Sequence, residues 1–305
     1  MGKIAFVFSG QGAQYSGMGL ELYEKSSAAK EIFDMADSAR PGTSAQCFSG
    51  TEEELSVTEN TQPCLFSVEL AAAKALAEAG IKPDMVAGFS LGEVAALTFA
   101  GAFESDKAGF EFVCKRAKAM QNAAEENSGA MAAVLKLSNE QVEKICADFS
   151  NMYPVNYNCP GQLTVAGDRA EMEAFTQKVA EAGGKVVVLK VSGGFHSPFM
   201  HKAAESLKDT LKEFSVAAPQ IPVYANVNAQ PYGENAAEML AKQVESPVRW
   251  QETIEQMAKD GADTFIEVGP GKTLCGLIKK TIKGVKALNV QDSAGLDKAI
   301  QEVLK

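Results

Sequence analysis

The sequence predicts an α/β protein in which a large domain with a parallel sheet, built from both ends of the chain, carries a small inserted domain. Runs typical of strands and of helices alternate over most of the length, as expected for a parallel sheet covered by helices. The middle of the chain instead follows the β-α-β-β-α-β order of a ferredoxin-like unit. The 305 residues are 46% hydrophobic, which is enough for one large core or for a large domain with a smaller one inserted.

The two ends of the chain supply the elements of the large domain. Toward the N-terminus we expect a strand, a helix that Pro63 opens and Gly80 closes, a second strand and a helix directly after it, at residues 3–8, 61–79, 85–89 and 91–100. Toward the C-terminus we expect a strand, a helix, another strand and a closing helix, the first three at residues 264–268, 272–282 and 285–290.

The inserted unit lies between these two groups of elements. Its strands and helices are predicted, in order, at residues 131–137, 139–149, 154–158, 163–166, 169–182 and 185–191. We therefore predict a small domain at residues 128–192 and a large domain formed by residues 1–127 and 193–305.

Composition argues against several functions. A net charge of -10 is unfavourable for binding nucleic acid, which relies on basic side chains to neutralise phosphates. The chain has no run of about 18 apolar residues that could span a bilayer, and its short apolar N-terminus is typical of a buried strand and not of a signal peptide. The six cysteines form no CxxC pair and only two histidines are present. We therefore expect reduced thiols, a cytoplasmic location and no zinc site.

A G-x-S-x-G motif at Gly88-Phe89-Ser90-Leu91-Gly92 is the strongest local signal. A serine on a tight bend between a strand and a helix projects its hydroxyl above the sheet, and the flanking glycines let the chain bend without clashes. The N–H of Leu91 would then point at the same place and could stabilise an oxyanion. The alternative is a helix cap, with Ser90 and Glu93 forming a capping box. We favour a nucleophilic Ser90.

A nucleophilic serine needs a base, and the chain offers His196 and His201. His196 follows the turn Ser192-Gly193-Gly194-Phe195 at the end of a predicted strand, a typical position for a reactive group. His201 lies in the next helix beside an apolar stripe, so His196 is the favoured base. No acid is evident between Ser90 and His196 on the pattern of a hydrolase triad. The alternative to a triad acid is a backbone carbonyl that orients the histidine, which gives a Ser–His dyad.

Arg116 lies in the apolar stripe of a helix predicted at residues 105–124. A guanidinium stays charged and is costly to bury unpaired, so it must meet an anion. One interpretation is a structural salt bridge with a nearby carboxylate. The other is a clamp on a substrate carboxylate, which together with an activated serine points to a dicarboxylic acyl group such as malonyl.

Several segments resemble the malonyl-CoA:acyl carrier protein transacylase family, and they extend over nearly the whole chain. They are FSGQGAQ at residues 8–14, GFSLGE at 88–93, RAKAMQ at 116–121, NCPGQ at 158–162, VSGGFHS at 191–197, SPVRWQ at 246–251 and EVGPGK at 267–272. The resemblance implies an α/β-hydrolase-like large subdomain with a short parallel sheet and an inserted ferredoxin-like small subdomain.

The resemblance also implies a role for each site residue. Ser90 would be the nucleophile and His196 its base, with Gln251 placed where the family uses a main-chain carbonyl to orient the histidine. The N–H groups of Gln11 and Leu91 would form the oxyanion hole. Among the substrate-binding residues, Arg116 would hold the malonyl carboxylate, while Phe195 would disfavour α-branched acyl groups. Phe89 replaces a histidine found in many members and could touch the acyl group.

The function implied is transfer of malonyl from malonyl-CoA to the phosphopantetheine thiol of acyl carrier protein, for fatty-acid biosynthesis. It would proceed by ping-pong kinetics with no metal and no bound organic cofactor, in a monomer. Three alternatives remain open: a polyketide-type acyltransferase of other acyl specificity, a serine hydrolase, and an inactive module that binds carrier protein.

Overall fold

The structure, a computed structural model, describes residues 2–304. Its strands are β1 (Lys3–Phe8), β2 (Met85–Gly88), β3 (Gly129–Leu135), β4 (Met152–Cys159), β5 (Gln162–Asp168), β6 (Lys185–Val188), β7 (Val223–Tyr224), β8 (Ala262–Val268) and β9 (Lys286–Val290).

The helices connect and cover these strands. They are α1 (Leu20–Lys25), α2 (Ser27–Ala39), α3 (Thr43–Ser49), α4 (Glu52–Ser56), α5 (Thr58–Glu78), α6 (Leu91–Phe99), α7 (Asp106–Glu126), α8 (Asn139–Cys146), α9 (Met172–Glu181), α10 (His201–Thr210), α11 (Ala236–Gln243), α12 (Trp250–Lys259), α13 (Thr273–Thr281) and α14 (Ser293–Val303). Two short 3₁₀ helices flank α10, at Pro198–Met200 and Leu211–Glu213.

The large sheet is parallel throughout and has the order β7-β2-β1-β8-β9. Its central strand β1 is buried on both faces, as parallel strands usually are. Alternate side chains therefore enter two different cores: Phe6 and Phe8 pack on one face of the sheet and Ala5 and Val7 on the other. The carboxyl ends of β1 and β2 lie side by side, because Phe8 pairs with Gly88.

The small sheet is antiparallel and has the order β4-β5-β3-β6. With α8 and α9 packed on it, this is the ferredoxin-like arrangement that the sequence predicts. Its core includes Val134, Val165 and Phe175, all fully buried. The mixed α/β fold with two separate sheets is confirmed. The sheet lies within the predicted segment 128–192, and that division of the chain stays our proposal.

The structure contains elements that the sequence patterns did not predict. They are α1 to α4 near the N-terminus, of which α2 has 13 residues, and β7, α11 and α12 between residues 223 and 259. Helix α5 begins at Thr58, three residues before the predicted start, and Pro63 lies inside it. Near the start of a helix a proline removes a single hydrogen bond, here the one to the carbonyl of Glu59, so the helix continues through it. Within residues 2–304, the helices are all too short or too polar to span a bilayer.

Candidate active site

Ser90 occupies a sharp bend between the end of β2 and the start of α6. Its backbone has φ 54° and ψ -100°, a conformation that residues other than glycine rarely adopt. A Cβ on Gly88 would lie 1.9 Å from the backbone carbon of Gly92, and a Cβ on Gly92 would lie 2.4 Å from the carbonyl oxygen of Phe8. Both motif glycines are therefore required by close backbone contacts at the bend.

The Ser90 hydroxyl faces the other candidate catalytic groups and does not cap the helix. Its Oγ lies 2.7 Å from Nε2 of His196 and 3.2 Å from Nη2 of Arg116. The capping-box alternative is wrong, because Ser90 makes no side-chain bond to α6. The Glu93 carboxylate instead accepts hydrogen bonds from the Asn226 N–H and the Tyr232 hydroxyl.

His196 is oriented by two backbone carbonyls. Its Nδ1 lies 3.0 Å from the carbonyl oxygen of Gln243 and 3.1 Å from that of Ser246. A proton on Nδ1 satisfies these acceptors and leaves Nε2 free to accept from Ser90, which is the tautomer that a general base needs. This arrangement is a Ser–His dyad with carbonyls in the place of a triad acid.

The predicted role of Gln251 is corrected by this geometry. Gln251 lies in the first turn of α12, where its side chain accepts from Asn139 and donates to Glu255. The orienting carbonyls come from the end of α11 and the turn that follows it, several residues before Gln251. Sequence alone could not separate these positions, because any backbone carbonyl in the segment has the same chemistry.

Burial keeps the His196 imidazole uncharged. The side chain is almost completely buried, and its pKa falls to about 4, first because burial disfavours the charged ring and then because Arg116 repels it. His201, by contrast, is exposed at the start of α10. Its Nδ1 lies 2.8 Å from the carboxylate of Glu245, and the hydrogen bond with this carboxylate raises the pKa of His201. The structure thus brings His196, and not His201, to Ser90.

Arg116 is fully buried on α7, yet its guanidinium meets neutral oxygens. Nη1 donates to Oε1 of Gln62 at 2.7 Å and Nη2 to Oε1 of Gln243 at 2.9 Å. Its Nε has no acceptor, and within residues 2–304 no carboxylate forms a salt bridge with it. Burial lowers the pKa of Arg116 to about 10. The alternative of a structural salt bridge therefore fails.

Two backbone N–H groups are candidates for the oxyanion hole. Leu91 is the first residue of α6, where an N–H has no partner inside the helix. Gln11 lies in the loop after β1, beside the bend after β2, and its N–H meets no backbone acceptor in the described part of the chain. The pairing of Gln11 and Leu91 around an oxyanion stays a prediction.

Each of the two residues Ser90 and His196 is directly preceded by a phenylalanine. Phe89 packs on Trp250 with ring centroids 5.5 Å apart, and it lines a cavity of about 210 Å³ together with Gln11 and Asn158. Phe195 is buried in the main core directly before His196. In residues 2–304 no cluster of three or more His, Cys, Asp or Glu side chains could hold a metal ion.

Four residues that shape the site were not predicted from the sequence. Gln62 and Gln243 hold the guanidinium, Ser246 helps to orient the histidine, and Asn226 binds the backbone of the bend at Ser90. A polar residue just after a buried strand was the one available signal, at Asn226. The glutamines lie on helices, where a polar side chain usually faces solvent.

The fold and the site define a class: an α/β enzyme built for nucleophilic serine chemistry with a histidine base. The chain matches the acyl transferase domain over residues 5–303 and belongs to this family of acyltransferases. It is 41% identical to the malonyl CoA-acyl carrier protein transacylase of Bacillus subtilis, over 99% of this chain and 97% of that protein. The Haemophilus influenzae transacylase is 38% identical over 100% of both chains.

Solved structures of the same kind share this fold. The malonyl CoA-acyl carrier protein transacylase of Clostridium perfringens superposes with a TM-score of 0.95 at 38% identity, covering 99% of this chain and 97% of that one. A malonyl-transacylase solved in complex with a type II PKS acyl-carrier protein superposes with a TM-score of 0.94 at 33% identity, over 98% and 99% of the two chains.

The close backbone packing at the bend predicts that even a methyl side chain at position 88 strongly destabilises the folded protein. Gly88→Ala should lower the free energy of unfolding by about 3 kcal/mol or prevent folding, because its methyl group would overlap backbone atoms of Gly92. The matched control is Gly276→Ala in the exposed part of α13, where a Cβ meets no atom within 4 Å. That change should stabilise the helix by about 0.5–1 kcal/mol. Urea unfolding measures both, and equal stability of the two variants would contradict the account.

The lowered pKa of His196 predicts that Ser90 stays reactive at acidic pH. Labelling of Ser90 by a small fluorophosphonate should stay fast at pH 5.5 and fall to half near pH 4, and not near the ordinary histidine value of 6.5. Because the folded pKa lies below the unfolded one, the uncharged ring contributes stability above pH 6.5 that is lost as pH falls toward 4. Circular dichroism should therefore confirm folding at each pH. A half-point at pH 6.5 in folded protein would contradict the prediction.

Proposed function

We propose that this chain transfers a malonyl group from malonyl-CoA to the phosphopantetheine thiol of acyl carrier protein, through a malonyl ester on Ser90. The single observation that carries the proposal is that one serine hydroxyl lies within hydrogen-bond distance of both His196 Nε2 and Arg116 Nη2. A base on one side activates the nucleophile, and a buried cation on the other side selects an acyl group that ends in an anion.

The guanidinium of Arg116 supports a carboxylate ligand. This guanidinium is held by the amide oxygens of Gln62 and Gln243, which fix its position without supplying a negative charge in direct contact. A malonyl group on Ser90 carries its carboxylate one methylene beyond the ester carbonyl, close to the Nη2 that now contacts the hydroxyl. Charge-assisted hydrogen bonds of this kind are among the strongest available to a protein.

The first half-reaction uses the neutral imidazole. As Ser90 Oγ attacks the thioester carbonyl, its proton passes to His196 Nε2, and the N–H groups of Gln11 and Leu91 are proposed to hold the oxyanion. When the tetrahedral intermediate collapses, the C–S bond breaks, and the imidazolium returns its proton to the leaving coenzyme A sulfur.

The second half-reaction repeats these steps with a different thiol. The phosphopantetheine thiol gives its proton to His196 and attacks the ester of malonyl-Ser90. The C–O bond then breaks, and the proton returns to Ser90. Two half-reactions through one covalent intermediate give ping-pong kinetics.

The choice of substrates rests on further support from the relatives. Proteins at 37–41% identity over nearly the whole chain bear the name malonyl CoA-acyl carrier protein transacylase, and one similar structure is a complex with an acyl-carrier protein. We propose that Phe195 disfavours α-branched acyl groups, that Phe89 lines the approach to the serine, and that the product feeds fatty-acid biosynthesis. The monomeric state and the cytoplasmic location stay predictions.

Intact-protein mass spectrometry tests the proposed function. The wild type mixed with malonyl-CoA should gain one malonyl group, which Ser90→Ala should not, while Ser192→Ala, a serine bonded to Thr58 and not to the dyad, should gain it normally. Added holo acyl carrier protein should then take the group. An adduct that water removes while the carrier stays unloaded would indicate a hydrolase. No adduct on the wild type would contradict the proposal.

A further inference from the structure

Asn226 is a fully buried residue two positions after the end of β7, and its side chain binds the backbone on both sides of Phe89. Its Nδ2 donates to the carbonyl of Gly88 at 2.7 Å, and its Oδ1 accepts from the N–H of Ser90 at 2.8 Å. We propose that Asn226 is a positioning residue that holds the nucleophile in its strained conformation. The inference rests on the proposed function, because it concerns the serine that function uses.

The contacts reproduce the hydrogen bonds of a parallel strand. The ladder between β2 and β7 ends at Ala87 opposite Tyr224. In a parallel ladder, the N–H of one residue donates to a carbonyl on the neighbouring strand. The C=O of the same residue accepts from the N–H of the residue two positions after that carbonyl. The carboxamide of Asn226 does the same with Gly88 and Ser90. A side chain thus takes the place of the next strand residue and extends the sheet to the nucleophile.

Asn226 is itself held through its backbone and its side chain. The backbone N–H of Asn226 donates to Oε2 of Glu93 at 2.6 Å, and its carbonyl accepts from the N–H of Arg249 at 2.9 Å. Nε2 of Gln243 lies 3.4 Å from Oδ1 of Asn226 and donates to the carbonyl of Ser90 at 2.8 Å. The two backbone polar groups of Ser90 are therefore bound by two buried side chains.

These bonds matter because the Ser90 backbone is strained. A non-glycine residue at φ 54° and ψ -100° keeps that conformation only where the surrounding structure over-determines it. If the Asn226 amide is lost, rotation about Ser90 moves Oγ away from His196 and turns the next N–H, that of Leu91, away from the developing oxyanion. Asn226 would then affect the chemistry without touching the substrate.

Substitution of Asn226 should slow the chemical step and spare substrate binding. Asn226→Ala is expected to slow both malonyl-adduct formation in a single turnover and fluorophosphonate labelling by about 100-fold, the usual effect of a small misplacement of a reacting group. The affinity for malonyl-CoA, measured in the Ser90→Ala background, should not change. Asn228→Ala is the matched control, since Asn228 is exposed in the same turn and bonds only locally, to the N–H of Gln230.

The pH dependence of the labelling rate of Asn226→Asp distinguishes a positioning role from a merely structural one. A protonated aspartic acid has one donor for the Gly88 carbonyl and one acceptor for the Ser90 N–H, as asparagine has, whereas the carboxylate has no donor. Its labelling rate relative to the wild type should therefore rise as pH falls, which the Ala variant cannot show. Circular dichroism gives the folded fraction by which each rate is corrected.

Three results would overturn the proposal: a wild-type labelling rate for folded Asn226→Ala, an equal loss in Asn228→Ala, or a pH-independent rate ratio for Asn226→Asp. Failure of the proposed function is distinguishable, because it appears as a wild type that forms no malonyl adduct. Fluorophosphonate labelling needs neither malonyl-CoA nor carrier protein and still tests the role of Asn226 in that case.

Discussion

Within residues 2–304, the buried guanidinium of Arg116 forms no salt bridge with a carboxylate, and much of the site is arranged around its charge. Neutral amide oxygens of Gln62 and Gln243 fix the guanidinium beside the Ser90 hydroxyl. The same charge adds to burial in keeping the His196 ring neutral, as a base must be. A carboxylate in direct contact with Arg116 would remove both effects, so a site that receives an anionic acyl group needs neutral partners.

Glu93 is a buried acid that interacts electrostatically with Arg116, and it has a different role. Burial raises its pKa to about 7, against the opposing influence of Tyr232, Asn226 and Arg116. Its oxygens accept from the Asn226 N–H and the Tyr232 hydroxyl and thereby anchor the segment that binds the bend at Ser90. Helix α6 begins directly after Ser90 and carries Glu93 in its first turn. Because Glu93 binds the backbone of Asn226, and Asn226 binds the backbone of Ser90, the charge of Glu93 and the geometry of Ser90 are coupled.

Sequence patterns predicted much of the fold and singled out Ser90 and His196, whose side chains lie 2.7 Å apart in the structure. The short strand β1 was readable because a strand buried on both faces is a continuous apolar run, and the β-α-β-β-α-β order because half-buried elements have a regular apolar period. Ser90 and His196 were readable because few residue types can do their chemistry. Gln243, Ser246 and Asn226 were not, because they act through backbone carbonyls or a side-chain amide whose partners are set by tertiary packing. The assignment of Gln251 failed for the same reason.

The affinity of the Ser90→Ala protein for malonyl-CoA and acetyl-CoA, measured by titration calorimetry, tests the central claim most directly, because binding is then separated from reaction. The account predicts that malonyl-CoA binds about 10- to 100-fold more tightly, as expected for hydrogen bonds to a charged group. It further predicts that adding Arg116→Gln removes the difference, whereas Lys115→Ala, on the exposed face of the same helix, preserves it. Equal affinity for the two thioesters, or a preference that survives Arg116→Gln, would contradict the assignment of Arg116 as the carboxylate site.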